Sequence, residues 1–391
     1  MSQQSQLDTT RPSVRGLLLI NLGTPAAPTP EALKRYLADF LMDEKVIDLP
    51  WLLRAALVRG IIIPRRAQAS ARAYQSIWTE RGSPLLTHLL DLGEAVRSQL
   101  SSGNQTQDQA RGSATRAART PQIETVEVAM RYGEPSLYRA LQRLREQQVT
   151  DLMIFPLYPQ YAEATTASTL LEVRRVLGKI QSEAQAAASS AWHPRLHEVR
   201  SFYDHPAHTA AWINVIQQAW SSGRYEHLLM SFHGLPMRQL RKLDANCGSE
   251  NCCAIAKPHC YKSQCFATAR SLAEGLGLRD SQYTVAFQSR LGRAQWTRPY
   301  TSDVLRELPQ TRNIRRLLVC TPAFVADGLE SLEEIADRGR EEFMHAGGEA
   351  YATAPCLNSH PKWIEGILQI ADECFRRNES LVSKSVQAPP P

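Results

Sequence analysis

No apolar run in this chain approaches the length of a bilayer span, and residues 1–15 are polar, without the apolar core of a secretory signal. Both absences predict a cytoplasmic chain, where structural disulfides are disfavoured. Charge of one sign is scarce too: 45 Lys and Arg face 39 Asp and Glu, a formal net charge of +6, with only short basic pairs such as Arg65-Arg66 and Arg315-Arg316. That balance implies no nucleic-acid partner and suits an anionic small molecule or an acidic membrane surface equally well. What is present is a chain of 391 residues, 43% hydrophobic and 21% charged, long enough for two ordinary domains.

The apolar residues come in short continuous runs. Residues 16–23 form one, broken by Gly23, Thr24 and Pro25, and similar runs recur at 124–130, 151–158, 228–232, 283–287 and 316–320. Such runs are what a strand buried on both faces requires. Amphipathic stretches of helical spacing separate them, at 85–100, 136–147, 267–276 and 329–343. The alternation predicts an α/β protein with parallel sheets. Segments 101–121 and 182–190 are polar or Ala/Ser-rich and predict surface insertions, the second dividing two α/β halves at 15–190 and 191–359. A helix at about 360–379 packs back on the first half, and the ends, 1–14 and 380–391, are expected to be disordered.

Three segments carry chemistry. The run 228–232 leads to His233, then Gly234 and Pro236, placing an imidazole at a strand end, where open α/β sheets bind ligands. A histidine that merely caps the turn is the alternative. After the run 316–320 come Asp327, Glu330 and Glu334, which a helix starting near Asp327 would align as a row of oxygen ligands; a favourable helix dipole explains such acids equally well. Residues 46–64 are apolar with arginines at Arg54 and Arg59, then Arg65 and Arg66, a pattern fitting either a lip that touches lipid and receives an apolar ligand or a buried helix.

The residues resemble those of one family. Leu19-Ile-Asn-Leu-Gly-Thr-Pro25, Tyr36-Leu-Ala-Asp-Phe-Leu-Met-Asp43, Ile77-Trp-Thr-Glu-Arg-Gly-Ser-Pro-Leu85, Met130-Arg-Tyr132, Tyr158-Pro-Gln-Tyr161, Ser231-Phe-His-Gly-Leu-Pro236, Phe287-Gln-Ser-Arg290, Trp296 to Tyr300 and Pro355-Cys-Leu-Asn358 look like ferrochelatase blocks, in family order. The resemblance implies two Rossmann-like, chelatase-type halves with a porphyrin cleft between them. It implies insertion of ferrous iron into protoporphyrin IX, the last step of haem synthesis, by a lyase of the metal-chelatase class. His233 would be the base for the pyrrole N–H protons and, with Glu330, a ligand of the incoming iron; Glu334 and Asp327 would relay protons or metal. Arg131, Tyr132, Tyr36, Phe40 and Leu41 would contact the porphyrin, Arg131 by pairing with a propionate. The alternatives are a chelatase for another tetrapyrrole such as coproporphyrin III, and a non-catalytic haem or iron-sulfur sensor.

The chain departs from many ferrochelatases between the His-Gly-Leu-Pro turn and the helix beginning near Tyr261, where an insertion at 244–262 brings Cys247, Cys252, Cys253 and Cys260, followed by Cys265. Compact thiolates in a cytosolic protein suit zinc or an iron-sulfur cluster. Because some bacterial relatives carry a 2Fe-2S cluster on an internal insertion, the resemblance favours that cluster on Cys247, Cys252, Cys253 and Cys260, with Cys265 as a substitute. Cys320, Cys356 and Cys374 read as buried thiols.

Overall fold

The computed structural model describes residues 13–110, 123–249, 251–290, 292 and 294–386. Its strands are β1 (Arg15–Gly23), β2 (Ile123–Tyr132), β3 (Asp151–Pro156), β4 (Arg195–Glu198), β5 (His227–His233), β6 (Tyr283–Gln288), β7 (Arg316–Cys320) and β8 (Ala350–Thr353). They form two sheets of four parallel strands, ordered β2-β1-β3-β4 and β6-β5-β7-β8. The second sheet thus repeats the order of the first. Leu17, Leu18, Leu19 and Ile20 of β1 are all fully buried, as are Leu228, Leu229, Met230 and Phe232 of β5. A central parallel strand has helices on both faces, which is why its sequence is a continuous apolar run rather than an alternating one.

Parallel strands need crossovers, and helices supply them. The helix Leu137–Glu146 shows the logic: Ser136 caps it by accepting from Arg139 N, and Leu137, Ala140, Leu141 and Leu144 form the buried stripe. In each half the strand order reverses around the first strand, so the crevices at the carboxyl ends of β1/β3 and β5/β7 are the natural ligand sites.

Three boundaries differ from the expectation. The helix Ser168–Ala186 runs through most of the stretch read as a polar insertion, with Ala184 buried. β4, beyond residue 190, pairs with β3 and belongs to the first sheet. The helix Pro361–Val386 continues past residue 380. Residues 1–12, 111–122 and 387–391, where disorder or an insertion was expected, lie outside the described residues.

The halves share packing. One hydrophobic cluster contains Leu17 and Phe155 of the first sheet, Phe232 and Leu318 of the second, and Trp363, Ile367 and Phe375 of the last helix. That helix returns to the first half, where the Arg15 guanidinium lies 4.6 Å from the Phe375 ring centre and Phe155 meets Trp363 edge-on. Each such buried aromatic stabilises the assembly by roughly 1.5–3 kcal/mol.

The lip is helical, Trp51–Leu57 passing through a π-helical turn, Val58–Ile62, into Ile63–Ile77. Trp51, Leu52 and Leu53 are exposed, by 59, 73 and 60%. Arg54 is buried instead and donates to the Ile47 and Leu49 carbonyls, closing the preceding turn. Among the described residues no helix is long and apolar enough to cross a membrane.

Candidate active site

β5 ends where its sequence forces it to end. The Gly234 N–H donates to the Gln288 carbonyl oxygen, 2.8 Å away, and a Cβ at 234 would stand 2.7 Å from that same oxygen, so only glycine fits. This turn holds His233 in place. Its Nδ1 lies 2.6 Å from the Gly234 carbonyl oxygen. A carbonyl can only accept, so in the neutral imidazole the proton sits on Nδ1 and the lone pair on Nε2. The Tyr261 hydroxyl donates to the His233 carbonyl at 2.8 Å, and the Phe324 ring stands edge-on to the imidazole.

β7 lies on the other side of β5, and the chain leaving it delivers the acids. Glu330 opens a π-helical segment, Glu330–Gly339. Bonding from i to i+5 gives such a helix more than four residues per turn, so Glu330 and Glu334 fall almost on one line. Burial pushes the Glu330 carboxyl above its ordinary range; the nearby His233 works against that shift, and Glu334 and Glu333 add to it. Glu334 accepts from Ser289 N at 2.7 Å and Ser289 Oγ at 2.6 Å. Asp327 lies before the helix rather than in it. It is buried and accepts from Ser331 Oγ and Asn358 Nδ2, each at 2.8 Å, and from Cys356 N. Its oxygens therefore organise the loop between β7 and the helix, away from the row formed by Glu330 and Glu334.

The first half supplies aromatic side chains. Tyr36 and Phe40 stack with ring centres 6.1 Å apart, and Phe40 meets Tyr132 edge-on at 5.2 Å. The Tyr36 hydroxyl donates to the Gly23 carbonyl, and the side chains of Tyr36 and Tyr74 both feel the charge of Glu330, which places them beside it. Leu41 is buried against Val58 and Ile63 and supports this face from behind. Arg131 is already engaged: it donates to Asp43 at 2.7 Å and Ser168 at 2.9 Å, with its guanidinium over the Tyr132 ring. The Tyr132 hydroxyl also donates to Asp43. Burial alone would raise the Asp43 carboxyl, but Ser168, the Lys45 N–H, Tyr132 and Arg131 together hold it low. A propionate at Arg131 would compete with this buried pair. Arg66 differs: it is exposed and makes no ion pair with any described residue.

The thiols form a second group next to this one. All are free: Cys247, Cys260 and Cys265 are buried, Cys252 and Cys253 partly so. Cys252 Sγ and Cys253 Sγ are 3.6 Å apart, and the Gly248 N–H points at Cys252 Sγ. Burial, then Cys260 and Cys252, push the Cys247 thiol up to about 11; burial and Cys252 push Cys253 up to about 12. Cys265 sits inside the helix Tyr261–Gly275, fully buried, and is raised well above the usual thiol range by that burial. Among the described residues no three or more Cys, His, Asp or Glu side chains are arranged as a metal site.

Of the expected residues, the structure brings His233, Glu330 and Tyr36 together and assigns Asp327 and Arg131 internal partners. Sequence reasoning missed Tyr74, Ser289, Asp43 and, as an individual residue, Arg66. Asp43 and Ser289 had a signal in the family-like blocks that end at Asp43 and span Phe287 to Arg290, and Arg66 had one in its basic pair on an apolar lip; Tyr74 had none.

A family model for ferrochelatase matches residues 14–374. The ferrochelatase of Ectopseudomonas mendocina (strain ymp) is 44% identical, over 90% of this chain and 95% of that protein. The ferrochelatase of Stutzerimonas stutzeri (strain A1501) is 41% identical, over 94% and 99%. The solved structure of SirB from Bacillus subtilis with Fe3+ shares the fold alone, at 12% identity and a TM-score of 0.50 over 94% of this chain and 98% of that one. A motif series in family order, two matching parallel sheets and a histidine beside a desolvated glutamate at their strand ends thus meet in one conclusion: the chain belongs to the ferrochelatase family.

Proposed function

We propose that the protein inserts ferrous iron into protoporphyrin IX, giving haem and two protons, in a cleft between the two sheets. The observation that carries this reading is the bare Nε2 of His233 beside the Glu330 carboxyl, at the carboxyl end of β5. The inner N–H protons must leave as iron enters, and a neutral imidazole accepts them at neutral pH. Ferrous iron, the substrate, sheds its waters as Glu330 and His233 replace them. Glu334, held by Ser289, continues the row and serves as the next carboxylate for metal or proton; Asp327 keeps Glu330 in place. Tyr36, Phe40 and Tyr132 face the ring, and Arg66, exposed and without an ion-pair partner among the described residues, is a cation available to a propionate.

An anaerobic assay with ferrous iron and either protoporphyrin IX or coproporphyrin III, run beside His233→Ala, tests this reading. Full activity in the variant would remove His233 as the base. Preference for coproporphyrin III would reassign the substrate, and binding without metallation of either would leave a sensor.

Cys247, Cys252, Cys253 and Cys260 are our ligand set for a 2Fe-2S cluster, with zinc the competing occupant and Cys265 the substitute ligand. Tetrahedral bonds of about 2.3 Å set ligand sulfurs roughly 3.8 Å apart, near the 3.6 Å between Cys252 and Cys253. The raised thiols of Cys247 and Cys253 would lose protons on binding, so loading weakens as pH falls. Bound there, the group would stabilise the loop and sense iron or redox state. A visible absorption spectrum separates the two occupants, since zinc leaves that region blank. Exposed Trp51, Leu52 and Leu53 with Arg59, Arg65 and Arg66 suit peripheral contact with an anionic membrane face from the cytoplasm, tested by flotation with anionic vesicles.

A further inference from the structure

One carboxylate pairs the start of the lip with the second half; farther along, Ala67, Ala71 and Tyr74 of the lip pack with Leu329 and Leu332. Asp48 accepts from both Arg238 and Lys242, which lie one turn apart on the helix Met237–Leu243 directly after the His233 turn. Gln239 of the same helix donates to the Val46 carbonyl at 3.1 Å. Behind this contact lies a cavity of ≈ 470 Å3 bounded by Lys45, Leu49, Trp51 and Arg54 of the lip and by Lys242 and Leu243 of the helix.

The contact is built to be weak. The side chains of Arg238 and Lys242 are both 58% exposed, and ion pairs of that kind contribute little and are screened by salt. The residues around it are held more firmly: Asp43 is tied to Arg131 and Ser168, and Lys45 to Glu163 at 2.6 Å. The segment around Asp48 is coupled to the wall beside it, because Val46 and Ile47 pack in the same hydrophobic cluster as Phe40 and Leu41, so making or breaking the Asp48 pairs bears on that wall.

We propose that Asp48 is a positioning residue that closes the mouth over bound porphyrin, and that breaking its pairs with Arg238 and Lys242 precedes haem release. The inference rests on the porphyrin-binding reading above, and binding is measured separately from metallation so that the two can fail independently. The probe is protoporphyrin IX, whose fluorescence reports dissociation from the full-length protein. With Asp48→Asn, dissociation accelerates up to about fivefold, while single-turnover insertion of iron into pre-bound porphyrin changes far less. High salt accelerates dissociation from the native protein and leaves Asp48→Asn unaffected. The charge swap Asp48→Lys with Arg238→Glu and Lys242→Glu restores slow, salt-sensitive dissociation. Equal dissociation rates in the native protein and Asp48→Asn, or equal salt dependence, would overturn the proposal, as would a swap that folds and binds but stays fast. Protein that binds porphyrin without metallating it would sink the enzymatic reading and leave the Asp48 test intact.

Discussion

The two halves place a glutamate at the same point and treat it in opposite ways. After the third strand of each sheet the chain enters a π-helical segment, Glu163–Ala167 in the first half and Glu330–Gly339 in the second, with the glutamate as its first residue. Glu163 meets Lys45 at 2.6 Å and the Tyr161 hydroxyl at 2.7 Å; burial works against its charge, but these partners hold its carboxyl low. Glu330 has no lysine or arginine to offset its burial, only the opposing pull of His233, and its carboxyl is held high. One fold position thus yields a stable ion pair or a strained, available carboxylate, depending on what the opposite wall offers.

The sharpest test of that contrast is the partner of Glu330. Replacing His233 by alanine should cost roughly 10²–10⁴-fold in iron insertion, measured anaerobically at saturating porphyrin. Next, Glu330→Gln should lower the same rate by about 10²-fold while Glu163→Gln costs only a few-fold; equal losses would erase the distinction between the halves.

Strand-end glycines supply a structural version. A Cβ at Gly23, where φ is +129°, would stand 2.0 Å from the Tyr132 carbonyl oxygen, against 2.7 Å from Gln288 for Gly234. Gly23→Ala should therefore destabilise by more than about 3 kcal/mol and Gly234→Ala by less, in urea unfolding.

The smallest effect concerns sign. A carboxyl raised by folding favours the native state only at low pH, and that contribution is lost as pH climbs through its folded value. The lowered Glu163 does the reverse, stabilising above its unfolded value and losing this as pH falls through the folded one. At pH 7, Glu330→Gln should stabilise the fold and Glu163→Gln destabilise it, each by about 1 kcal/mol; shifts of the same sign would break the comparison.

How much of this the sequence revealed depended on burial. Six strands were legible as apolar runs, the inner β1, β3, β5 and β7 and the largely buried edge strands β2 and β6. β4 and β8 were not: each is a four-residue strand at a sheet edge, mostly half-exposed, as in Arg195-Leu-His-Glu198. Missing β4 moved the division between halves into the wrong place. His233, Glu330 and Glu334 were legible as residues, but the helix starts at Leu329 rather than near Asp327, so Asp327 was aligned with acids it does not join. Arg131 was read as a free cation because Asp43, its partner, is 88 positions away in sequence. Long-range pairing of that kind leaves no local trace.

The bond from His233 Nδ1 to the Gly234 carbonyl has a stoichiometric consequence. With His233 as the proposed base, one vacant nitrogen would serve a ring that must give up two protons, while the other nitrogen stays bonded to the Gly234 carbonyl. The departures are therefore consecutive, with a reset of the imidazole between them, and each reset hands a proton to a neighbouring carboxylate or to water. Turnover should accordingly slow in deuterated solvent and quicken with small diffusible buffers, a dependence that two independent bases would not impose.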